Sequence, residues 1–371
     1  MKEVKIAFTG DIAFSRYYKD KVEDFGIVAP ELADFLTDTD YGVFNIEGAM
    51  AGPTHSGLFV HNNPPEGAKQ VVRLKGNIWN LANNHVMDAG PEGCMETIAH
   101  AKENGCRTIG AGANELDALK PVILPEAGGI GIFGMGYQPY CVPAEADKPG
   151  CSSWDKKDLI RNTVESIKKT CRWCVAVIHG GREFCDIPMK DIRDRYKEYL
   201  DMGVDIIVAH HPHVPQNYER FGDKYVFYSL GNFIFDTDYQ RAQFHTDTGV
   251  LIKLFFTEES VRFEAVGTKI DRSNGHIAKA PLPAIFTCLA EKDYEILWPL
   301  AAERFISHII KRLSFMYPDK YHVDPDPELY DAMMKREDKT YPHFQFVLEQ
   351  AALLGQKEIG PEYDAIKKYL I

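Results

Sequence analysis

The sequence lacks any long apolar segment, and no run in its 371 residues reaches the roughly 18 uninterrupted apolar residues of a membrane-spanning helix. It also lacks a signal-peptide pattern, because the opening Met1-Lys2-Glu3-Val4 runs at once into a strand-like segment and no lipoprotein-type cysteine follows. These absences predict a cytoplasmic protein with no membrane span. A trimmed chain would give the same pattern and be exported or membrane-associated.

An excess of positive charge is also missing. The net charge is −12, which disfavours nonspecific nucleic-acid binding and predicts no nucleic-acid partner. A polyanionic substrate would therefore need a local basic patch. Hydrophobic residues make up 45% and charged residues 26% of the chain, a balance typical of a folded globular protein.

No G-x-G-x-x-G motif follows the first predicted strand, and Gly110-Ala111-Gly112 is too short to replace it. This argues against a dinucleotide-dependent enzyme. The eight cysteines are expected to be reduced thiols, because disulfides are rare in cytosolic proteins. Cys171 and Cys174 form a lone C-x-x-C, which is either a redox or zinc pair or, as we favour, two buried thiols.

Short apolar runs alternate with segments of helical period up to about residue 210. Strands are predicted at 4–8, 42–46, 78–82, 130–135, 174–178 and 204–208, and helices at 91–102, 155–169 and 191–202. Further strands are expected at 225–229, 249–256 and 261–270. This alternation predicts an α/β fold. We divide the chain into a domain over 1–278 and a helical C-terminal extension over 279–371.

Polar clusters follow these predicted strands, at the sheet edge where α/β proteins collect functional residues. They are Gly10-Asp11, Asn45-Ile46-Glu47, Asn83-Asn84-His85 with Asp88, His179-Gly180-Gly181-Arg182-Glu183, His210-His211-Pro212-His213, and Ser229-Leu230-Gly231-Asn232. A hydrolytic metal site needs imidazoles and carboxylates on one concave surface. Taken singly, Gly10-Asp11 is more often a turn and His179 more often a hydrogen-bonded histidine than a ligand, and the Asn and Glu residues are also typical of turns or solvated strand ends. Three histidines within four residues, at His210, His211 and His213, are unusual for a surface loop.

The side-chain chemistry of the residues in these clusters suggests a role for each. Asp11 and Glu47 offer hard oxygen ligands, and Asn84 offers a neutral amide oxygen. Two imidazoles two residues apart on a proline-restricted turn, His211 and His213, can divide between a metal and its substrate. His85 is a candidate general acid or oxyanion donor.

The order and wording of these motifs resemble the bacterial capsule-synthesis family called CapA or PGA-cap, which is associated with poly-γ-glutamate, within the calcineurin-like metallophosphatase superfamily. The resemblance covers roughly residues 4–270. The matching stretches are Phe8-Thr9-Gly10-Asp11, Asn45-Ile46-Glu47, Leu81-Ala82-Asn83-Asn84-His85 with Asp88 and Gly90, Gly110-Ala111-Gly112-Ala113-Asn114, His179-Gly180-Gly181-Arg182-Glu183-Phe184, His210-His211-Pro212-His213-Val214, and Tyr228-Ser229-Leu230-Gly231-Asn232-Phe233.

This resemblance implies a four-layer αββα metallophosphatase-like sandwich with one or two divalent ions, Mn, Fe or Zn. The metal ligands implied are Asp11, Glu47, Asn84, His179, His211 and His213. We assign catalytic roles to His85, Asn84 and His210, and substrate binding to Asn45, Arg182, Glu183 and Asn232.

Two positions depart from the pattern. The superfamily opens with Asp-x-His, but Ala13 replaces that histidine here, which removes one ligand from a two-metal centre. The family usually has an aromatic residue where Gly180 stands, a change that would widen the pocket or alter the substrate.

Two functions remain open. One is a metal-dependent hydrolase of a phosphoester or a γ-glutamyl or other amide bond, acting on a small molecule or on polyglutamate. The other is a polymer-binding or capsule-assembly protein that kept the scaffold without the chemistry. Phe59, His61, Arg73 and Lys75 either line a pocket or lie on the surface, and the sequence sets no oligomeric state.

Overall fold

The computed structural model describes residues 3–51, 60–137, 141–241, 243, 245–298 and 301 of the chain. The strands, in chain order, are β1 (Val4–Phe8), β2 (Asp11–Ile12), β3 (Tyr41–Asn45), β4 (Gly76–Asn80), β5 (Arg107–Ile109), β6 (Ala111–Gly112), β7 (Val122–Leu124), β8 (Ile130–Gly136), β9 (Gly150–Cys151), β10 (Trp173–His179), β11 (Ile206–His210), β12 (Tyr218–Phe221), β13 (Lys224–Phe227), β14 (Asn232–Ile234), β15 (Thr248–Phe256), β16 (Val261–Asp271) and β17 (His276–Ala280). The α-helices are α1 (Pro30–Thr37), α2 (Gly67–Arg73), α3 (Gly90–Glu103), α4 (Glu115–Ala118), α5 (Lys157–Lys168), α6 (Lys190–Met202) and α7 (Asp238–Arg241), and a 3₁₀ helix spans Arg16–Lys21.

Two large sheets organise these strands. The first has the order β17-β16-β15-β1-β3-β4-β5, and the second has the order β12-β13-β11-β10-β8-β7. Within the first sheet β1, β3, β4 and β5 run parallel, and within the second β8, β10, β11 and β13 do. A small pair, β2 with β14, joins Asp11 to Asn232.

The two sheets pack face to face through an aliphatic core. Its members come from strands of both sheets and include Ile6, Val43, Ile78, Val175, Val177 and Val208. Strand β10 is buried along its whole length. Its continuous apolar run is typical of a central parallel strand covered on both faces.

Helices cover the outer face of each sheet. Helix α5 buries Ile160, Val164 and Ile167, a stripe at helical spacing, against the second sheet. Helices α1, α2 and α3 contribute to the core outside the first sheet. The four-layer αββα architecture expected from the resemblance is therefore confirmed.

The predicted elements match the observed ones within a few residues, but helices α1, α2, α4 and α7, the 3₁₀ helix and several short strands were not predicted. The boundary at residue 278 stays a prediction. Strand β17 spans it, and Tyr294 and Trp298 are buried in the core outside the second sheet. The rest of the predicted helical extension, 302–371, lies outside the described residues.

No helix within the described ranges is both long and apolar enough to cross a membrane. Cys171 and Cys174 are buried in the core outside the second sheet. Burial raises the pKa of the Cys174 thiol. Because thiolate is the form that reacts or binds metal, this environment favours two structural thiols over a redox or zinc pair.

Candidate metal centre

The candidate site lies where parallel strands of both sheets end. Asp11 begins β2 just after β1, Glu47 follows β3, and Asn84 follows β4. His179 and His210 are the last residues of β10 and β11. Because carboxyl ends of parallel strands meet at one sheet edge, residues distant in sequence converge there.

Glu47 is at the centre of the cluster and is fully buried. Its Oε1 atom lies 3.6 Å from Nε2 of His213, 3.9 Å from Nε2 of His179 and 3.9 Å from Nε2 of His85. Neither carboxylate oxygen has a hydrogen-bond partner within the described part of the chain. Three imidazoles from three chain segments thus face one buried carboxylate that the protein itself leaves unsatisfied.

Asp11 supplies a second buried carboxylate. Its Oδ1 lies 3.2 Å from Nδ1 of His210, and its Oδ2 lies 3.2 Å from Nδ1 of His213. Its main-chain N–H donates to the carbonyl oxygen of Gly231 at 2.9 Å. A Cβ on Gly10 would lie 2.3 Å from that same oxygen. Glycine is therefore needed for the close approach that inserts Asp11 between the two sheets.

A second group of ligand-type atoms adjoins the first. Nε2 of His179 lies 2.8 Å from Oδ1 of Asn84 and 3.2 Å from Nδ1 of His211. His211 and His213 both have positive φ, at 96° and 58°. Such left-handed backbone is strained for residues other than glycine and tends to persist where function requires it.

His85 is held at the edge of the cluster by Asp88. Its Nδ1 lies 2.7 Å from Oδ2 of Asp88, and its Nε2 faces Glu47. Burial opposes protonation of this imidazole, but the charge and hydrogen bond of Asp88 outweigh burial and raise the pKa of His85. The pair therefore has the arrangement of a proton donor with an orienting carboxylate.

Asn45 links the two groups of ligand-type atoms. Its Nδ2 donates to Oδ1 of Asp11 at 2.8 Å and lies 3.2 Å from Nδ1 of His179, and its Oδ1 accepts from Asn80 at 2.8 Å. Both polar atoms of this fully buried amide thus contact protein groups. The structure assigns it contacts that orient Asp11 and His179, and its predicted role in substrate binding remains a prediction.

Asn83 ties together the loops that carry Glu47 and His85. Its Nδ2 donates to the carbonyl oxygen of Ile46 at 2.7 Å, and its Oδ1 accepts from the N–H of His85 at 3.1 Å. Since each bond joins a different loop, this side chain sets the distance between the central carboxylate and the candidate acid.

The other predicted substrate-binding residues have different surroundings. Arg182 is buried, donates to Asp191 at 2.7 Å and lies 4.9 Å from the ring centre of Tyr137. Glu183 is half-buried, and its negative charge contributes to the raised pKa of His213. The structure thus brings Glu183 near the cluster, whereas these two contacts of Arg182 are to residues outside it.

Asn232 is completely buried behind His213. Its Oδ1 lies 3.0 Å from Nδ1 of His213, and its Nδ2 donates to the carbonyl oxygen of Thr246 at 2.8 Å. It orients the imidazole in this arrangement, and its contact with substrate stays a prediction.

Burial and charge perturb the ionisable groups strongly. Burial raises the pKa of Glu47 to about 8. Burial opposes a charge on His213, but Glu47 and Asp11 outweigh it and raise the pKa of His213 to about 10. Burial lowers the pKa of His211 to about 4 and holds the pKa of His179 well below its usual range. His179 and His211 are therefore neutral near pH 7, the form that can ligate a metal.

The donor set fits a divalent metal. Asp11, Glu47 and His213 each offer an atom within 4.8 Å of the others. The separations of 2.8 and 3.2 Å around His179 resemble those of ligands sharing one ion, which lie roughly 3.0–3.4 Å apart for bonds near 2.1 Å. The orphaned oxygens of Glu47 are satisfied if a cation lies between these groups. Mixed imidazole and carboxylate ligands suit Zn, Mn or Fe better than Ca.

Ala13 and Gly180, the two positions that depart from the family pattern, both pack against neighbouring residues. Ala13 is buried and its N–H donates to the carbonyl oxygen of Ile234 at 2.6 Å. A Cβ on Gly180 would lie 3.0 Å from Tyr137 and 3.2 Å from Trp154. Tyr137 and Trp154 therefore lie close to Gly180, and a wider pocket or a different substrate at this position stays a prediction.

The model of the family described as "Bacterial capsule synthesis protein PGA_cap" matches residues 5–237, and this match includes every residue of the cluster. The chain belongs to this family. The expectation drawn from the motif order is thus confirmed.

Curated relatives carry consistent descriptions. The capsule biosynthesis protein CapA of Bacillus anthracis is 28% identical over 256 residues, which cover 65% of this chain and 62% of that one. The PGA biosynthesis protein CapA of Bacillus subtilis (strain 168) is 28% identical over 247 residues, covering 64% of each chain. A probable polyglutamine synthesis accessory protein of Mycobacterium tuberculosis is 24% identical, covering 54% and 57%. The chain therefore spans less than two thirds of the length of these relatives.

Among solved structures, a hypothetical protein from Thermus thermophilus is 12% identical with a TM-score of 0.45, and the match covers 75% of this chain and 100% of that one.

The segment after Glu47 contributes a residue to the site that the sequence did not identify as a site residue. His61, named as either a pocket residue or a surface residue, is buried with its ring centre 4.3 Å from that of His85. Arg73 instead lies at the surface, where it donates to the carbonyl oxygen of Phe25 at 2.5 Å. Phe59 lies outside the described residues. No local pattern distinguishes these positions, because only the fold returns His61 to the sheet edge.

Proposed function

We propose that this protein is a metal-dependent hydrolase of capsule-polymer metabolism, acting on a phosphoester or on an amide such as a γ-glutamyl link. The observation that carries the proposal is the convergence of His85, His179 and His213 on the unsatisfied carboxylate of Glu47 at 3.6–3.9 Å. A buried charge without protein partners is costly, and a bound cation offsets that cost.

Two groups of residues would hold the metal. Asp11, Glu47 and His213 form one, while His179, His211 and Asn84 form the other, and Glu47 lies between them. When bound, a divalent ion supplies Lewis acidity and activates water. The superfamily has a histidine where Ala13 stands, so one metal position lacks a ligand. This favours a single fully occupied metal position over two.

The protein's own residues supply the remaining chemistry. Asp88 fixes the Nδ1 side of His85, so that Nε2 faces the cluster and gives a proton to the departing group. Asn84, next to His85 in sequence, would ligate the metal through its amide oxygen or donate to the substrate oxyanion through its amide N–H. His210 and Asn45 orient Asp11 from behind.

The capsule and PGA biosynthesis named for the Bacillus relatives supports a polymeric substrate, which the family resemblance identifies as poly-γ-glutamate. Action in the cytoplasm, where the eight free cysteines of the structure would stay reduced, is part of the same proposal. The alternative is a polymer-binding or assembly protein, and the loss of the histidine at Ala13 is the observation that favours it.

Elemental analysis of protein purified without chelator tests the metal. Turnover is then measured with Mn, Fe or Zn on two panels, aryl and alkyl phosphoesters and γ-glutamyl peptides and anilides. Metal together with turnover on either panel supports the hydrolase. Stoichiometric metal, tight polyglutamate binding and no turnover would support the assembly protein instead.

A further inference from the structure

The segment that begins after residue 59 is fixed against the chain beyond β3. Ala49 N–H donates to the carbonyl oxygen of His61 at 3.2 Å, and Asn63 N–H donates to the carbonyl oxygen of Ala49 at 2.7 Å. Gly48 has φ 100°, and a Cβ on it would lie 2.2 Å from the His61 carbonyl oxygen. Only glycine permits this approach, so the backbone position of His61 is closely determined.

The side chain of Asn63 strengthens the attachment. Its Oδ1 accepts from the N–H of Phe14 at 2.6 Å, and its Nδ2 donates to the carbonyl oxygen of Glu47 at 3.0 Å. The segment is therefore joined both to the loop after β2 and to the main chain of the central carboxylate. The position of this segment is therefore set by hydrogen bonds to residues at the cluster.

His61 and His85 share one carboxylate oxygen. Oδ2 of Asp88 accepts from the N–H of His61 at 2.7 Å and lies 2.7 Å from Nδ1 of His85. The two imidazoles meet edge to face, with ring centres 4.3 Å apart and planes at 86°. Nδ1 of His61 is itself held 2.7 Å from Oγ of Ser15.

These contacts restrict His85 on two sides. Asp88 fixes one ring nitrogen, and the ring of His61 blocks rotation about the terminal bond, a torsion that is otherwise broad for histidine. Nε2 is the atom left directed at the cluster, 3.9 Å from Glu47 Oε1. A misplacement of about 1 Å at a reacting group can cost about 10²-fold in rate.

We propose that His61 is a positioning residue for His85, whose ring keeps Nε2 of His85 aimed at the leaving group. This inference rests on the proposed function, because it presumes that His85 is the proton donor. Ser15 holds the ring of His61 in place, and the edge-to-face contact carries the effect.

Two substitutions distinguish the effect of the His61 ring from the effect of its hydrogen bond to Ser15. His61→Asn keeps a polar group for Ser15 but removes the ring, whereas His61→Phe keeps a ring but removes the hydrogen bond. His100→Asn is the matched control, because His100 is a partly exposed histidine on helix α3. Each is assayed with p-nitrophenyl and phenyl phosphate, or with γ-glutamyl p-nitroanilide and anilide, alone and combined with His85→Ala.

We expect His61→Asn to lower kcat by about 10–100-fold on the poor leaving group and far less on the good one, with unchanged metal content. His61→Phe should remain within a few fold of the unsubstituted protein. In the His85→Ala background His61→Asn should have no further effect, since residues acting through one another are not additive. Additive losses, equal losses on both leaving groups, or a His61→Phe variant as poor as His61→Asn would overturn the proposal.

An activity-independent readout separates this proposal from the function on which it rests. Long-range ¹⁵N–¹H spectra of histidine-labelled protein report the ring state of His85, assigned by its loss in His85→Ala. A single ring state of His85, with Nδ1–H held on Asp88, that becomes averaged in His61→Asn supports positioning even if no substrate is turned over. An unchanged His85 signal in that variant overturns positioning, whereas absence of turnover by the unsubstituted protein overturns only the hydrolase.

Discussion

Glu47→Gln should change stability in opposite directions with and without metal. The substitution keeps the shape of the side chain but removes the charge that three imidazoles face at 3.6–3.9 Å. In metal-free protein at pH 7 the native state keeps Glu47 neutral, because burial raises its pKa from 4.5 to about 8. The unfolded chain ionises freely at that pH, so neutralising Glu47 on folding costs about 3 kcal/mol.

Glutamine avoids this cost but introduces an amide that loses roughly 1–3 kcal/mol if it stays unpaired. The metal-free variant should therefore be as stable as the unsubstituted protein, or more stable by up to about 2 kcal/mol. With metal at about 1,000 times its Kd, the unsubstituted protein gains about 4 kcal/mol. The variant should lose that gain, which is on the order of 10 °C in Tm at roughly 2–4 °C per kcal/mol.

The assay is thermal unfolding at pH 7 in EDTA and in excess Mn or Zn, with metal content measured in parallel. Glu219→Gln is the matched control, because Glu219 on β12 is also buried but pairs at 2.7 Å with Arg193 of helix α6. It should lower Tm equally in both conditions. If Glu47→Gln also lowers Tm equally in EDTA and in metal, Glu47 is a structural carboxylate and the metal centre is wrongly assigned.

The remaining predictions concern the same cluster. His85→Ala should retain metal and fold but lose about 10²–10⁴-fold in turnover, and near-full activity in a kinetic assay would remove its acid role. His211→Ala combined with His213→Ala should abolish metal binding, and unchanged metal content by elemental analysis would contradict that ligand assignment. The pKa of Glu47 rises from 4.5 to about 8 and that of His213 from 6.5 to about 10. The metal-free protein should therefore lose stability as pH rises from 6.5 to 10, above the range in which the lowered pKa values of His179 and His211 act in the opposite direction. Metal affinity by titration should rise with pH as the protons of Glu47 and His213 leave. A stability that rises across this window in EDTA would contradict the protonated state of the pair. Thiol titration of denatured, unreduced protein should find close to all eight cysteines free, and recovery of several disulfides would instead indicate an exported protein.

Local patterns determined much of the framework. The apolar run of β10 and the stripe of Ile160, Val164 and Ile167 on α5 have the periods of a buried strand and an amphipathic helix. Gly203, with φ 114°, ends α6 as its position predicts. The polar clusters at strand ends could also be identified, because each follows an apolar run within a few residues.

Tertiary structure alone decided which clusters meet and how. Strand β1 lies between β3 and β15, so the start of the chain pairs with residues 248–256. His61 contacts His85 only because Gly48 and Ala49 hold its backbone against the end of β3. Such contacts depend on how the two sheets pack and not on a local sequence period. Two residues with the same local pattern can have different surroundings, because strands distant in sequence bring different neighbours to each of them. The sequence thus determined which residue types were available at the sheet edge. The packed sheets determined that the Glu47 carboxylate, which has no hydrogen bond from the described residues, faces three imidazoles.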